Sequence, residues 1–209
     1  MDETLPMTTV AIPSAGAALA LDDWAVLRAR GADATSFLQS QLTNDIEHLP
    51  ADRASLAGYC SAKGRLLATF VVWRGTQDEW LLACSADLAA SVLRRLSMYV
   101  LRAKCKLDDA SAEVPLWGVV GDGAAASLGE RAPRDAWQLA RADAATWIRL
   151  PAAKVGGASV PRWLCAGADP SLAPLDRELW AALEVQSGVP RIVAATVEQF
   201  VPQMVNLEL

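Results

Sequence analysis

The 209-residue sequence predicts an α+β fold in which antiparallel or mixed sheets pack against single helices. Three observations carry this. Strand-length apolar runs arrive in consecutive groups, with helical patterns standing singly between them. Turn residues separate the runs closely enough for hairpins. No linker or repeat interrupts the chain, and at about 150 residues per domain its length fits one large domain or two small ones. Hydrophobic residues make up 53% of it and charged residues 21%, a globular balance that supplies a substantial core.

Taken in order, residues 1–18 are rich in Ala, Thr and Pro and are expected to form a loose arm. Trp24 to Arg30 alternates apolar and polar residues as a strand does, and Gly31 ends it. Asp33 is placed to cap a helix running to about Leu42, with Phe37, Leu38 and Leu42 on one face. Leu56 to Cys60 and Arg65 to Trp73 read as strands joined at a Lys63-Gly64 turn, and Glu79 to Cys84 follows as another. Asp87 to Val100 is the clearest helix. Leu88, Val92, Leu96 and Tyr99 recur at helical spacing, Leu93 widens the stripe, and Arg94 and Arg95 face away. Leu101 to Leu107 is expected to return as a strand. A second set runs from Leu116: strand, short helix, then strands at Trp147 to Leu150 and Trp163 to Ala166. A last helix spans about Leu175 to Ser187 and stops at Gly188, before Pro190.

Several kinds of chemistry find no support. A formal net charge of −5 makes the chain a poor general partner for nucleic acid or an anionic membrane, so no direct nucleic-acid contact is expected. No apolar run reaches bilayer-spanning length, so no membrane partner is expected either. The start Met-Asp-Glu lacks a positive leader segment, and Cys60, Cys84, Cys105 and Cys165 are far apart with no Cys-x-x-Cys; both fit a reduced, cytoplasmic setting. His48 is the single histidine, too few for a histidine-rich zinc site and far from any nucleophile motif, so no metal is expected. Gly121-Asp122-Gly123-Ala124-Ala125-Ala126 matches a dinucleotide fingerprint, but without a convincing βαβ unit it reads as a tight strand-to-helix turn. Arg94, Arg95, Arg102, Lys104 and Lys106 form a basic zone, read either as a solvated face or as a seat for an anionic tail.

An ordered set of short segments then stands out. Leu21-Asp22-Asp23-Trp24 precedes Gly31-Ala32-Asp33 and Phe37-Leu38-Gln39-Ser40-Gln41-Leu42-Thr43-Asn44-Asp45. Tyr59-Cys60-Ser61-Ala62-Lys63-Gly64-Arg65 and Tyr99-Val100-Leu101-Arg102-Ala103-Lys104 follow. Gly188-Val189-Pro190-Arg191-Ile192 and Gln199-Phe200-Val201-Pro202-Gln203-Met204-Val205-Asn206-Leu207 close the series. Together they resemble the YgfZ family, folate-binding relatives of the glycine-cleavage T proteins. The match is thinnest from about 110 to 170.

The resemblance implies a T-protein-like fold with folate between subdomains, here 19–110 and 111–209. It implies a tetrahydrofolate-binding accessory protein supporting iron–sulfur cluster assembly or repair and iron–sulfur-dependent tRNA modification, with iron–sulfur enzymes as partners. Two tryptophans of the family's folate site match Trp24 and Trp180, and a flat heterocycle can stack on a rigid indole. The position where related T proteins hold a pterin-binding Glu is Gln186, with Glu184 two residues away on a different face. Lys63, in the Tyr59–Arg65 segment, and Arg102, for the glutamate tail, complete the candidate cofactor contacts. T proteins also carry an acidic residue on the strand after the Lys-Gly-like turn. Here that strand reads Arg65-Leu66-Leu67-Ala68-Thr69-Phe70, so no catalytic residue is assigned. An aminomethyltransferase-type transferase is the alternative reading, and a non-catalytic protein-binding scaffold the second. Family members continue into a Lys-Gly-Cys-Tyr-x-Gly-Gln-Glu motif and a C-terminal barrel. The expectation is that this chain stops before both.

Overall fold

The computed structural model describes residues 15–75, 78–142 and 144–207. Two sheets form its frame. The first has strand order β3-β4-β5-β2-β6, built from β2 (Trp24–Arg30), β3 (Ala54–Cys60), β4 (Leu66–Arg74), β5 (Glu79–Ser85) and β6 (Lys106–Asp109). All its pairings are antiparallel. The second has order β11-β1-β7-β10-β9-β8, from β1 (Ala17–Ala20), β7 (Leu116–Val120), β8 (Leu139–Ala142), β9 (Ala145–Val155), β10 (Ala158–Ala166) and β11 (Ala173–Pro174). It is antiparallel except where β1 meets β11. With three α-helices, this is the expected α+β class.

The apolar run of β4 has a simple cause: the first sheet is buried on both faces. Phe70 and Val72 point into a core with Leu27 of β2, Leu82 of β5, Phe37 and Leu38 of α1 (Ala34–Gln41), and Val92 and Leu96 of α2 (Ala86–Val100). Val71 and Trp73 point the other way, into a core between the sheets with Val26, Val120, Ile148 and Leu164. Period-2 alternation across a sheet covered on both sides leaves no polar face to show. A kinked 3-10 segment, Asp122–Arg131, covers the outer face of the second sheet, packing Ala124, Ala125 and Leu128 on Trp147 and Trp163. The last helix, α3 (Arg177–Ser187), sends Trp180 and Leu183 into the inter-sheet core.

Several local expectations need correction. β1 begins at Ala17, two residues inside the expected arm; residues 1–14 of that arm lie outside the described residues. Asp33 precedes α1 but makes no side-chain cap; its Oδ2 accepts instead from the Lys104 amide at 2.7 Å, tying the α1 entry to the loop after α2. Leu101 to Cys105 is not strand. Leu101 ends α2 at φ 47° and the chain turns before β6. Tyr99 does not join the α2 stripe. Burial stops at Leu96, and the last turn leaves Met98, Tyr99 and Leu101 exposed. At Gly121 the chain makes the expected tight turn, but into a kinked 3-10 segment rather than a helix, and β7 lies antiparallel to both neighbours, as no dinucleotide-binding unit would.

Candidate functional site

A narrow slot lies between the sheets where α3 closes one end. Its walls are Trp24 of β2, Thr69 and Val71 of β4, Leu150 of β9, Arg162 and Leu164 of β10, Trp180 and Glu184 of α3, and Val189 to Arg191 after that helix. All but Val189 to Arg191 arrive by strand or helix periodicity. Arg162 and Leu164 share the inward face of β10, and Trp180 and Glu184, four residues apart, share one face of α3. The Asp176 carboxylate accepts from the Leu179 amide at 2.9 Å and starts the helix; Gly188, at φ 69°, ends it. The Ile192 amide donates to Thr69 Oγ1 at 3.0 Å and holds the segment after α3 against β4.

Both indoles carry a guanidinium. Arg162 stands 5.0 Å from the centroid of the Trp180 ring, and Arg191 stands 5.0 Å from that of Trp24. Arg191 also donates to Asp23 Oδ2 at 2.7 Å and lies 3.8 Å from the Glu184 carboxylate. Trp180 rests on Gly118 of β7, where any added Cβ would meet the ring at 2.7–2.8 Å.

The polar groups of the slot are incompletely partnered. Arg162 is 1% exposed; its Nε donates to the Pro151 carbonyl at 3.3 Å, but its Nη1 has no hydrogen-bond partner. Trp24 Nε1 and Trp180 Nε1 also lack partners. Burial lowers the Arg162 pKa to about 10, so it remains charged at neutral pH. Burial pushes the Glu184 carboxyl above its ordinary range, against the opposing pull of Arg191 and Arg162. A carboxyl whose folded-state pKa is raised contributes most below its unfolded value, and that contribution is lost as pH climbs through the raised one. Glu184→Gln is therefore expected to raise the thermal midpoint at pH 7–8 and leave it little changed near pH 4. Melts across that range check the sign.

The cavity enclosed by these walls is about 20 Å³, room for roughly one water. Next to it is an open groove of about 400 Å³ that shares Leu56, Val189 and Pro190 with the slot and runs past Asn44, Trp137 and Asn206.

Of the candidates named from sequence, Trp24 and Trp180 come together here. Gln186 is exposed and does not line the slot; Lys63 is exposed on the β3–β4 turn, and Arg102 is exposed just beyond α2. The sequence reading missed Arg162 and Arg191, and set Glu184 aside in favour of Gln186. Two had a visible signal: Arg162 is the one charge inside the Val160–Ala166 run, and Glu184 sits one helical turn from Trp180. Among the described residues no three His, Cys, Asp or Glu side chains converge as a metal site. Cys84 and Cys165 are buried, their pKa values pushed up to about 12 by burial, which keeps them as unreactive thiols. Among the described residues no helix is long and apolar enough to cross a membrane.

With this geometry in place, comparison with known proteins gives a consistent picture. The family described as the GCVT N-terminal domain matches residues 20–162. The tRNA-modifying protein YgfZ of Edwardsiella ictaluri (strain 93-146) is 33% identical over 207 residues, which cover 90% of this chain and 59% of that protein. The protein of the same name from Sodalis glossinidius (strain morsitans) is 31% identical over 198 residues, covering 91% and 60%. The chain thus spans 59–60% of the length of these curated relatives. Among solved structures, the glycine cleavage system aminomethyltransferase T from Bartonella henselae superposes with a TM-score of 0.61 at 14% identity, over 74% of this chain and 42% of that one. At that identity the likeness is one of fold.

Proposed function

The chain belongs to the GCVT N-terminal domain family, in its YgfZ branch, and from that premise we propose that it binds tetrahydrofolate or a derivative in the slot between its sheets. The role proposed for it is that of a cytoplasmic folate-binding accessory protein, supporting tRNA modification and the iron–sulfur enzymes that perform it. One observation carries the reading: two tryptophans far apart in sequence, Trp24 and Trp180, line a single cavity together with two arginines and a carboxylate. The two walls come from the proposed subdomains, 19–110 and 111–209.

The donor set suits a pterin. Half-buried Trp24 offers indole surface, Trp180, its ring covered by Gly118 and Arg162, offers an unpartnered Nε1, Glu184 offers an acceptor that takes no hydrogen bond from the described residues, and Arg162 offers a free donor. The volume does not suit it in the closed form, because about 20 Å³ admits water alone. Binding therefore requires the Val189–Arg191 wall to give way and Arg191 to leave the Trp24 face. The bound folate would supply a one-carbon carrier, and the chain's part is to hold and orient its ring. One-carbon transfer itself lacks a placed acid: β4 presents Thr69 to the slot, and Glu184, across from it on α3, is the single carboxylate among the lining residues.

Titrating the chain with tetrahydrofolate while following tryptophan emission tests the reading. Saturable quenching is expected. Trp24→Ala, at a half-buried position, is expected to weaken binding about tenfold, the worth of one aromatic stack. Absence of saturable quenching at millimolar tetrahydrofolate would overturn the folate reading in favour of a protein-binding scaffold.

A further inference from the structure

Independently of the folate reading, we propose that the exposed end of α2 is a docking surface for an acidic amphipathic helix of a partner protein. The basic zone seen in the sequence lines neither the slot nor the groove beside it. From Leu88 to Leu107 the chain carries Arg94, Arg95, Arg102, Lys104 and Lys106 and no acidic residue, in a protein whose formal net charge is −5. Ion pairs among the described residues fall on Arg28, Arg30, His48, Arg177 and Arg191. None of the five cations of the zone is paired with a carboxylate there. Asp33 comes close, but it accepts from the Lys104 backbone amide.

A second observation is apolar. Six large hydrophobic side chains are exposed among the described residues, and three of them, Met98, Tyr99 and Leu101, fall within four positions at this one end. A merely solvated basic face would not gather them. Leu101 is 86% exposed and held at φ 47°, a conformation that bulky side chains rarely adopt. A partner that covers Leu101 would remove the cost of that exposure. Met98 also lines an open groove of about 360 Å³, together with Arg94, Arg95, Leu67 and Val197. Arg95 stacks on Tyr99 at 5.9 Å, and its Nε has no hydrogen-bond partner.

Apolar side chains set among cations complement apolar side chains set among carboxylates. Exposed apolar patches with a polar rim mark protein contacts, and Arg, Met and Tyr are enriched at such contacts. An amphipathic helix supplies both halves: apolar residues for Met98, Leu101 and the groove, and carboxylates for Arg94, Arg95 and Arg102. Single-stranded RNA is the poorer match. It needs aromatic platforms, and Tyr99 is the one aromatic among the exposed large hydrophobics. A flat anionic bilayer cannot follow the groove.

The experiment is fluorescence anisotropy of a labelled helical peptide, with Leu at i, i+3, i+4 and i+7 and Glu elsewhere, titrated with the whole chain. Saturable binding with a Kd of about 10 μM is expected. Leu101→Ser and Arg94→Glu are each expected to weaken it about tenfold, and Arg94→Glu also to flatten its dependence on salt. Both side chains are exposed, so both variants should melt with wild type. Val185→Ser removes an equally bare apolar side chain on α3 and is expected to leave the affinity unchanged. Three results would each overturn the proposal: no saturation below millimolar chain, equal binding of the same peptide with Lys in place of Glu, or tighter binding of a single-stranded RNA than of the acidic peptide. None of them bears on tetrahydrofolate quenching, which reports on the slot.

Discussion

Trp180→Ala is expected to lower the free energy of unfolding by about 3–5 kcal/mol, as for other fully buried aromatic side chains. The ring is 3% exposed and has fixed neighbours. Gly118 lies against it with no room for a methyl group, Arg162 stacks on it at 5.0 Å, and Leu183 shares its helical face. None of these can collapse into the space an alanine would leave, because Gly118 has no side chain to extend and Arg162 is held by Pro151. The buried guanidinium would lose its aromatic partner as well. Against a total stability of about 5–15 kcal/mol, the loss is a large fraction. Urea denaturation of wild type and variant measures it. A shift in the midpoint corresponding to less than about 1 kcal/mol would mean that α3 is not a fixed wall of the core. The same contact from its other side, Gly118→Ala, is smaller, because a ring can shift where a deleted ring cannot be replaced.

The second large effect is expected at Gly31→Ala, with a loss of about 3 kcal/mol from backbone strain and overpacking together. Gly31 sits at φ 126°, a conformation closed to residues with a Cβ, and an added Cβ would fall 2.1 Å from the Lys104 carbonyl oxygen. That oxygen also accepts from the Asp33 amide at 3.3 Å, while Asp33 Oδ2 accepts from the Lys104 amide at 2.7 Å. The substitution therefore forces apart a place where the α1 entry and the loop leading into β6 are laced together. Chemical denaturation checks the magnitude. Hydrogen exchange is expected to show the damage first in β6 and the start of α1. A variant as stable as wild type would show that this loop yields freely.

How much of this was legible beforehand follows from what each part depends on. β2 to β5 and α2 were readable because their signals are local: the β4 run, the Lys63-Gly64 turn before it and the Leu88, Val92, Leu96 stripe each span only a few neighbouring residues. β1 and β11 were not, because four and two residues, mostly alanine, carry no period and owe their strand geometry to partners distant in sequence. β9 and β10 were underestimated despite the Gly156-Gly157 turn between them, both residues at positive φ, which is a hairpin signal in its own right. In the slot, the tryptophan pair came from resemblance rather than from any pattern. Gln186 was favoured over Glu184 because a family position was followed instead of the helical face that holds Trp180. Arg162 was passed over, although a lone charge in a strand covered on both faces asks for a partner.

The position of β1 has a consequence for how the chain is made. Ala17 pairs with Val120 and Ala173, while every strand of the first sheet lies between them in sequence. On the ribosome the first sheet and its two helices can assemble from a contiguous stretch, but β1 must wait, unpaired, for β7 to emerge. Such distant pairing slows folding. Until it is complete, the face carrying Val26, Val71 and Trp73 has nothing to cover it, and a nascent chain paused after β6 would present it to every neighbour it meets.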